Sequence, residues 1–341
     1  MNTVRAGADP VYDLKRLKDF LHRYQNPDPG HSWWQVINSF VPYILLFITM
    51  YFLLDVSIWL TMLLAVPAAG FMIRIFIIFH DCGHGSFFNS KKMSRIVGFI
   101  AGVLTFVPYE QWRYSHAIHH ATCGDLDRTG SGDVWTMTVN EYQQQSKWKK
   151  LTYRLYRNPL VMFGIGPFYI FLIEYRFPSS LAKKRERKGV LLTNLGILAL
   201  VSLLIWLLGL KSYLLIQLPI LIIALTAGVW LFYVQHQYED VYWARHEQWN
   251  FDAAALEGSS YYHLPAILQW FTGNIGFHHV HHLNARIPNY YLKSCHTEIV
   301  KLKPVKTLTL LSSLKSLKFR LFDEDLGQMV GFGYLRKLKK A

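Results

Sequence analysis

Histidines suited to binding metal are crowded into three short parts of this 341-residue chain. Nine of its fifteen histidines lie in three stretches of five residues each, and chance is a poor explanation of such crowding. Imidazole is a common ligand of zinc, copper, iron and nickel. We therefore predict that the three stretches meet at one metal site. The histidines are His80 and His84 in the first stretch, His116, His119 and His120 in the second, and His278, His279, His281 and His282 in the third.

The two histidines of the first stretch are one helical turn apart. On a helix, residues i and i+4 lie on the same face, so His80 and His84 can point at one small volume. The zinc-protease motif HExxH has the same spacing, but here Asp81 rather than a glutamate follows the first histidine. This difference weakens the interpretation of the pair as a zinc hydrolase site.

The second and third stretches share the pattern H-x-x-H-H. Two adjacent residues of a helix diverge by about 100°, so His119 and His120 can serve two metals side by side more easily than one. The pattern recurs at His278, His281 and His282, with His279 off their shared face. Eight nitrogen ligands without a thiolate exceed the four that zinc usually takes. We therefore predict a redox site with two metal ions, in which His279 at most supports a ligand.

His236 is the expected ninth ligand, because it ends a long apolar segment at the same level as the first stretch. Two divalent ions held by neutral imidazoles need nearby anions. Metal-bound imidazoles also usually donate their second N–H to a carboxylate or carbonyl. No catalytic side chain beyond the metal ligands is predicted. The carboxylates expected to support the histidines are Asp81, Asp125, Asp127, Asp133, Glu239 and Asp240.

The elements that position these histidines are predicted to be membrane helices. Hydrophobic residues make up 52% of the chain and charged residues 17%, whereas soluble domains average about 25% charged residues. A spanning helix needs about 20 apolar residues. Apolar segments at 41–54, 56–79, 190–210 and 213–234 predict four transmembrane helices in two hairpins, which turn near Asp55 and near Lys211. Arg74 is expected to extend towards the near interface, and the apolar stretches 96–107 and 160–177 to be interfacial or re-entrant helices.

Charge predicts the orientation of these helices. The net charge is +14, and of the 36 lysines and arginines only Lys211 lies in either of the two far turns. The positive-inside rule then places both termini and every histidine stretch in the cytoplasm, in a multi-pass protein of the cell membrane. A nucleic-acid partner is not expected, because the apolar segments leave little room for a separate basic domain. The basic, leucine-rich run 301–320 predicts an amphipathic helix, either on anionic lipid or packed on the cytoplasmic region.

The predicted fold is an all-α integral membrane protein, with four transmembrane helices in two hairpins and a cytoplasmic helical cap that carries the metal site. The predicted divisions are a cytoplasmic N-terminal segment (1–37), the first hairpin (38–79), a cytoplasmic or interfacial region with the first two histidine stretches (80–189), the second hairpin (190–235) and a cytoplasmic region with the third stretch and a basic tail (236–341).

From about residue 79 to residue 290 the chain resembles the membrane fatty acyl desaturases, and is most similar to bacterial members that act on acyl chains of membrane lipids. The resemblance rests on HDCGHGSFF from His80, HAIHH from His116, QHQ around His236, and HHVHH from His278 followed by IPNY from Ile287. It implies a non-haem diiron centre that uses O2 and two external electrons to give a cis double bond in a saturated chain. The ligands that it implies are His80, His84, His116, His119, His120, His236, His278, His281 and His282, with His279 as an alternative to His278 that the helical spacing disfavours.

The resemblance also implies partners. The substrate would be an acyl chain of a membrane phospholipid, and the electrons would come from a separate donor of the ferredoxin or flavodoxin type, because no haem-domain or flavin signature is visible. Such donors are acidic, so the basic run 183–188 could dock one; it could equally serve only to fix topology and to bind lipid headgroups. The aromatic residues that could line an acyl tunnel, or instead anchor the protein at the interface, are Phe106, Tyr109, Trp112, Trp135 and Trp270.

Two alternatives stay open. A diiron membrane hydroxylase, or a carotenoid ketolase or hydroxylase, would share the site and insert oxygen instead of forming a double bond. A non-enzymatic metal- or haem-binding or transport protein belongs to a different class. It is less favoured, because transport sites usually lie near the middle of the bilayer among polar residues of broken helices, and these histidines lie at or beyond the ends of the apolar segments.

Overall fold

The computed structural model describes residues 14–128 and 132–338, so residues 1–13 of the predicted N-terminal segment lie outside the described residues. The chain is mainly helical. Its α-helices are α1 (Leu14–His22), α2 (Pro29–Leu53), α3 (Ile58–His84), α4 (Lys91–Leu104), α5 (Tyr109–Thr122), α6 (Val139–Gln144), α7 (Lys147–Tyr156), α8 (Gly166–Phe168), α9 (Lys184–Leu208), α10 (Leu210–His236), α11 (Phe251–Glu257), α12 (Ala266–Phe271), α13 (His278–Leu283), α14 (Leu292–Leu302), α15 (Leu310–Ser313) and α16 (Tyr334–Leu338).

Four of the described helices are long and apolar enough to cross a membrane, which agrees with the number predicted. They are α2, α3, α9 and α10, with 25 to 27 residues each. The break between α2 and α3 falls at residues 54–57, around Asp55 as expected. The break between α9 and α10 lies at Gly209, whose φ of 79° suits a residue without a Cβ. Lys211, near which that turn was predicted, already belongs to α10.

α3 lies at the centre of the bundle, where it packs against α2, α4 and α10. Its fully buried Ala65, Ala68 and Ala69 let neighbouring backbones approach closely, as small residues do between membrane helices. α9 instead leaves most of its apolar side chains exposed, which suits a helix that faces lipid. The central position of α3 fixes the histidines at its end relative to the other helices.

The two shorter apolar stretches form different structures. Residues 96–107 belong largely to α4, which packs against α3 and α9. Residues 160–177 form a broken helix that consists of π-helical Val161–Ile165, α8, π-helical Tyr169–Ile173 and 3-10 Glu174–Arg176. Together with α7 it makes a pair bent by 57°, the shape of a broken span or a re-entrant loop. This shape fits the predicted interfacial or re-entrant position.

The described part of the chain is mainly helical but not all-α as predicted, because it also contains two small sheets, one of which joins the middle of the chain to the C-terminal region. β1 (Met137–Thr138), β4 (Leu321–Asp323) and β5 (Gln328–Val330) form one sheet, and β2 (Tyr261–His263) pairs in parallel with β3 (Thr307–Thr309). Strands of two or three residues are too short to show a readable alternation. The run 301–320 is likewise not one helix, since α14 ends before Pro304 and β3, α15 and 3-10 Leu314–Lys318 follow.

Candidate metal centre

Four helices bring the nine predicted histidines together. His80 and His84 lie in the last turns of α3, and His236 is the last residue of α10. The second stretch lies within α5 and the third within α13, so both H-x-x-H-H patterns are helical as predicted. The site therefore stands at one end of two of the candidate membrane spans.

The nine histidines form two groups. One consists of five residues and the other of four, and in each group the nitrogen atoms lie within 4.8 Å of one another. The adjacent residues His119 and His120 fall in different groups, as their divergence on a helix predicts. The five-histidine group contains His80, His84, His116, His120 and His281, and the four-histidine group contains His119, His236, His278 and His282.

The distances between nitrogen atoms fit metal binding. In the five-histidine group, the Nε2 atom of His116 lies 3.1 Å from that of His80 and 3.2 Å from that of His120. In the four-histidine group, the Nε2 atoms of His236 and His278 are 2.9 Å apart. Two nitrogens bound at right angles to one ion, with bonds of about 2.1 Å, are about 3.0 Å apart. Each group thus has the spacing of ligands around a common ion.

Orphaned nitrogen atoms give a second test of the fit. Within the described residues, the Nε2 atoms of His84, His119 and His282 are buried without a hydrogen-bond partner. A buried polar atom without a partner is costly, and such atoms need an explanation such as an ion. A metal ion in each group would satisfy them. The donor set, which is all imidazole, suits iron among the transition metals.

Burial also keeps these imidazoles in the form that binds metal. Desolvation, with the neighbouring histidines adding to it, holds the pKa of His116, His120 and His281 well below the usual value of 6.5. The same causes lower the pKa of His278 and His282. The neutral imidazole is the metal ligand. The protein therefore presents ligands that are already deprotonated at neutral pH.

Two of the predicted carboxylates contact histidines of the groups. Asp81 places Oδ1 at 3.0 Å from Nδ1 of His80, and Asp133 places Oδ1 at 2.5 Å from Nδ1 of His119. Both carboxylates are buried beside their histidine. Each leaves the Nε2 atom of its histidine for an ion, which is the usual arrangement around metal-bound imidazole.

The other four predicted carboxylates have different partners. Asp125 accepts a hydrogen bond from His246 at 2.8 Å, and Asp127 pairs with Arg245 at 2.8 Å. Asp240 pairs with Lys306 at 2.5 Å. Glu239 is exposed, and its backbone carbonyl accepts from Met329. The structure therefore brings Asp81 and Asp133, out of the six, into contact with the histidine groups.

His279 points away from both groups. Its side chain is fully buried, and its Nε2 atom lies 3.0 Å from Nδ1 of His296 in α14. His278, the preceding residue, belongs to the four-histidine group. This placement of His278 and His279 is the one that the helical spacing of the third stretch favours.

A network behind Asp81 could not be anticipated from spacing alone. The second oxygen of Asp81 accepts from both the backbone N–H and the side-chain amide of Asn289, at 2.8 and 2.9 Å. Asn289 accepts in turn from Nε2 of Gln35 in α2, at 3.0 Å. The IPNY motif, which contains Asn289, was the only sequence signal for this contact. The network ties the five-histidine group to α2.

Around His236, backbone and thiol groups take the place of a carboxylate. The Nδ1 atom of His236 lies 3.0 Å from the carbonyl oxygen of Gly258 and 3.5 Å from the sulfur of Cys123. The carbonyl can accept a hydrogen bond from Nδ1–H of His236, so the Nε2 atom is left to face His278. Neither residue carries a signal in the sequence.

Of the five aromatic candidates, Trp112 and Tyr109 lie closest to the site. Trp112 stacks on the ring of His116, with the centroids 4.3 Å apart, and the hydroxyl of Tyr109 donates to the carbonyl of Cys82 at 2.7 Å. Phe106 lines an open apolar groove of about 480 Å³ between α9 and α10. Trp135 packs on Tyr153 and Tyr156, and Trp270 on Arg74. Trp112 thus serves to hold a histidine ring in place.

Comparison with known families gives a match over most of the chain. The model of the family described as fatty acid desaturase matches residues 57–307, a range that contains all nine histidines. The matched range also contains Asp81 and Asp133.

Individual relatives agree with this match. A fatty acid desaturase of Bacillus subtilis is 51% identical over 328 residues, which cover 96% of this chain and 93% of the relative. An sn-1 acyl-lipid omega-3 desaturase (ferredoxin) of Synechocystis is 30% identical over 67% of this chain and 63% of its own length. An endoplasmic reticulum omega-3 fatty acid desaturase of Vigna radiata is 29% identical over 84% of this chain and 76% of the relative.

Proposed function

Since the chain belongs to the fatty acid desaturase family, and is accordingly an oxidoreductase, we propose that it introduces a cis double bond into saturated acyl chains of membrane lipids. The observation that carries the proposal is the pair of adjoining histidine groups at the ends of α3 and α10. We propose that the nine histidines hold two iron ions, one in each group.

The chemistry of the substrate explains why a metal site is needed. An unactivated methylene has no acidic proton and no leaving group, so acid–base catalysis by side chains has nothing to act on. Two bound iron ions, together with O2 and two external electrons, would supply the oxidising power that removes two hydrogens from the acyl chain. The residues of the chain position these ions: Asp81 and Asp133 orient His80 and His119, and Trp112 fixes the ring of His116.

For the membrane arrangement we propose two hairpins, α2 with α3 and α9 with α10, and a cytoplasmic cap that carries the histidines. The short breaks at 54–57 and at Gly209 support the hairpins. The basic residues near the histidine-bearing ends support a cytoplasmic cap and cytoplasmic termini in the cell membrane. A site just outside the ends of the spans lets an acyl chain reach it from the bilayer.

We propose an acyl chain of a phospholipid as the substrate. Support comes from the Synechocystis relative, whose name describes an acyl-lipid desaturase. The four potential spans offer a second argument, because they keep the enzyme among membrane lipids. A hydroxylase with the same site would leave a hydroxyl group on the acyl chain, so analysis of the fatty acid products separates the two reactions.

We propose a small acidic electron carrier of the ferredoxin or flavodoxin type as the donor. The name of the Synechocystis relative includes ferredoxin. The predicted basic run lies at the start of α9, where Arg185 pairs with Glu110 at 2.5 Å. Glu110 also pairs with Arg113, whose Nε donates to the carbonyl of Gly83 at 3.1 Å, next to His84. A donor bound here would stand close to the five-histidine group.

Expression in a bacterial host whose lipids lack the product tests the proposal. Gas chromatography–mass spectrometry of derivatised fatty acids should show new alkenes in membrane lipids, and the purified protein should hold about two irons per chain. His80→Ala should abolish the new alkenes and lower the iron content towards one per chain, whereas His263→Ala, at an exposed position of β2, should change neither result. New hydroxy acids without alkenes would refute desaturation, and a purified active protein without iron would refute the metal assignment.

A further inference from the structure

One short helix of the C-terminal region lies beside the middle of a membrane span. A helix rises about 1.5 Å per residue, so Gly70 and Arg74 lie about 15 Å and 9 Å along α3 from His80. The ring of Phe271, at the end of α12, packs so closely on Gly70 that a Cβ there would be 2.7 Å from the ring. Phe71 contacts the same ring, with the centroids 5.1 Å apart. α12 therefore lies well below the level of the histidines.

The outer side of α12 is apolar and open. Ile267 is 67% exposed, and Leu268 and Trp270 are each 40% exposed. The helix has no charged residue. Neighbouring large apolar side chains left open to water would be unfavourable. α12 packs on the Gly70 face of α3, and along that face, towards the start of this potential membrane span, lie the exposed apolar residues Leu63 and Val66.

The inner side of α12 covers a charge. Arg74, within α3, is 7% exposed. Its guanidinium carbon lies 3.9 Å from the ring centroid of Trp270, and its Nη1 donates to the carbonyl of Trp270. The expectation that Arg74 extends to the interface is therefore wrong, because Trp270 encloses the guanidinium at its own depth. A charge within a span is costly in contact with lipid, and α12 shields this one.

The chain returns directly from α12 to the metal centre. Gly273 and Asn274 have positive φ values of 50° and 59° and turn the backbone. The carbonyl of Ile275 then accepts from the side chain of Gln235, next to His236, at 2.9 Å. His278 follows at the start of α13. Only six residues separate the end of α12 from the third histidine stretch, so the position of α12 constrains that of the stretch.

We propose that α12 is inserted into the bilayer beside α3, with Ile267, Leu268 and Trp270 in contact with the acyl chains of the leaflet nearest the metal centre. The region 236–341 is then not wholly cytoplasmic but enters the membrane once, immediately before the third histidine stretch. The occupant of this surface is bulk lipid, because the surface adjoins the exposed apolar residues Leu63 and Val66 of α3 and the helix has no charged residue that would select a particular ligand.

Spin-label accessibility tests this insertion independently of catalysis. The three native cysteines are buried, so single substitutions Ile267→Cys and Leu268→Cys can be labelled in the full chain and reconstituted in nanodiscs. Ile222→Cys, at an exposed position in the middle of α10, gives the lipid reference, and Lys293→Cys, on the exposed side of α14, gives the aqueous reference. Collisions of the label with O2, which partitions into lipid, are compared with collisions with a water-soluble nickel chelate.

Labels at positions 267 and 268 should match the lipid reference at position 222 and have an O2-to-nickel collision ratio well above that of the aqueous reference at position 293. A ratio like that at position 293 would overturn the proposal. Low collision rates with both reagents would also overturn it, because they would show that protein, such as a second copy of the chain, covers the helix. Neither result depends on whether the enzyme desaturates lipids, so failure here is distinct from failure of the proposed function.

Discussion

The Nδ1 atom of His119 lies 2.5 Å from Oδ1 of Asp133, which is fourteen residues further along the chain. Both side chains are nearly buried. The carboxylate accepts a hydrogen bond from Nδ1–H of His119. The lone pair of its Nε2 atom is then free and directed to the other members of the four-histidine group. The ring centroids of His236 and His282 lie 4.9 and 5.0 Å from the ring centroid of His119.

Replacement of this carboxylate should weaken one iron site selectively. In Asp133→Asn the amide carries no charge and can present its N–H to His119, so affinity at the four-histidine group should fall about 10- to 100-fold. Iron content after dialysis against a weak chelator should fall from about two towards one per chain. Asp240→Asn, at an exposed carboxylate that pairs with Lys306, is the matched control. Equal iron content in the two variants would contradict the role of Asp133.

Asn289 supports the other group through Asp81, and its loss should destabilise the fold. Asn289→Leu removes a buried amide that donates to Asp81 and accepts from Gln35. A buried polar group left without its partner costs about 1–3 kcal/mol. The thermal unfolding temperature in detergent should therefore fall, whereas Asn140→Leu, at an exposed position of α6, should leave it nearly unchanged. An unaltered unfolding temperature in Asn289→Leu would show that the network contributes little.

Helix periodicity in the sequence accounts for the local geometry of the candidate site. The i, i+3 and i+4 spacing on single helices was enough to separate His119 from His120 and His278 from His279. Four long apolar segments were enough to predict four potential spans. Both results depend on helix periodicity, which any short window of the chain displays.

Contacts between distant segments could not be predicted in the same way. Asp81 and Asn289 are 208 positions apart, and which of six carboxylates faces a histidine depends on the paths of loops. Asp125 and Asp133 follow the same helix, yet Asp125 binds His246 and Asp133 binds His119. The strands could not be predicted either, because two or three residues are too few to show a periodic pattern.

Cys295 should be unreactive in the folded protein. Burial raises the pKa of its thiol from 9.0 to about 12. Because only the thiolate reacts, and its fraction falls tenfold for each unit by which the pKa rises, alkylation at pH 8 should be about 1,000-fold slower than for an ordinary cysteine. Maleimide labelling followed by mass spectrometry should find Cys295 unmodified until a denaturing detergent is added. Rapid labelling of Cys295 under native conditions would contradict its burial.

Electron delivery should depend on salt if an acidic donor docks on the basic run at the start of α9. Lys184→Glu combined with Lys188→Glu, both exposed, should slow reduction by ferredoxin, and the wild-type rate should fall steeply as ionic strength rises. Lys315→Glu with Lys318→Glu, also exposed and outside the basic run, is the matched control. Reduction by dithionite needs no docking and should be the same in all three proteins. A ferredoxin rate that is insensitive to both salt and charge reversal would place the dock elsewhere.

Adjacent histidines of the third stretch should behave very differently when each is replaced. His278 lies with its Nε2 atom 2.9 Å from that of His236 in the four-histidine group, whereas His279 contacts His296 instead. His278→Ala should therefore remove about one iron per chain and abolish new alkenes, because the loss of one of four ligands opens that group. His279→Ala should keep both irons but lower the unfolding temperature, since it removes a fully buried ring and its contact with the half-buried His296. Metal analysis and thermal unfolding of the two variants, prepared in parallel, make each the control for the other. Loss of iron in His279→Ala with retention in His278→Ala would reverse the assignment.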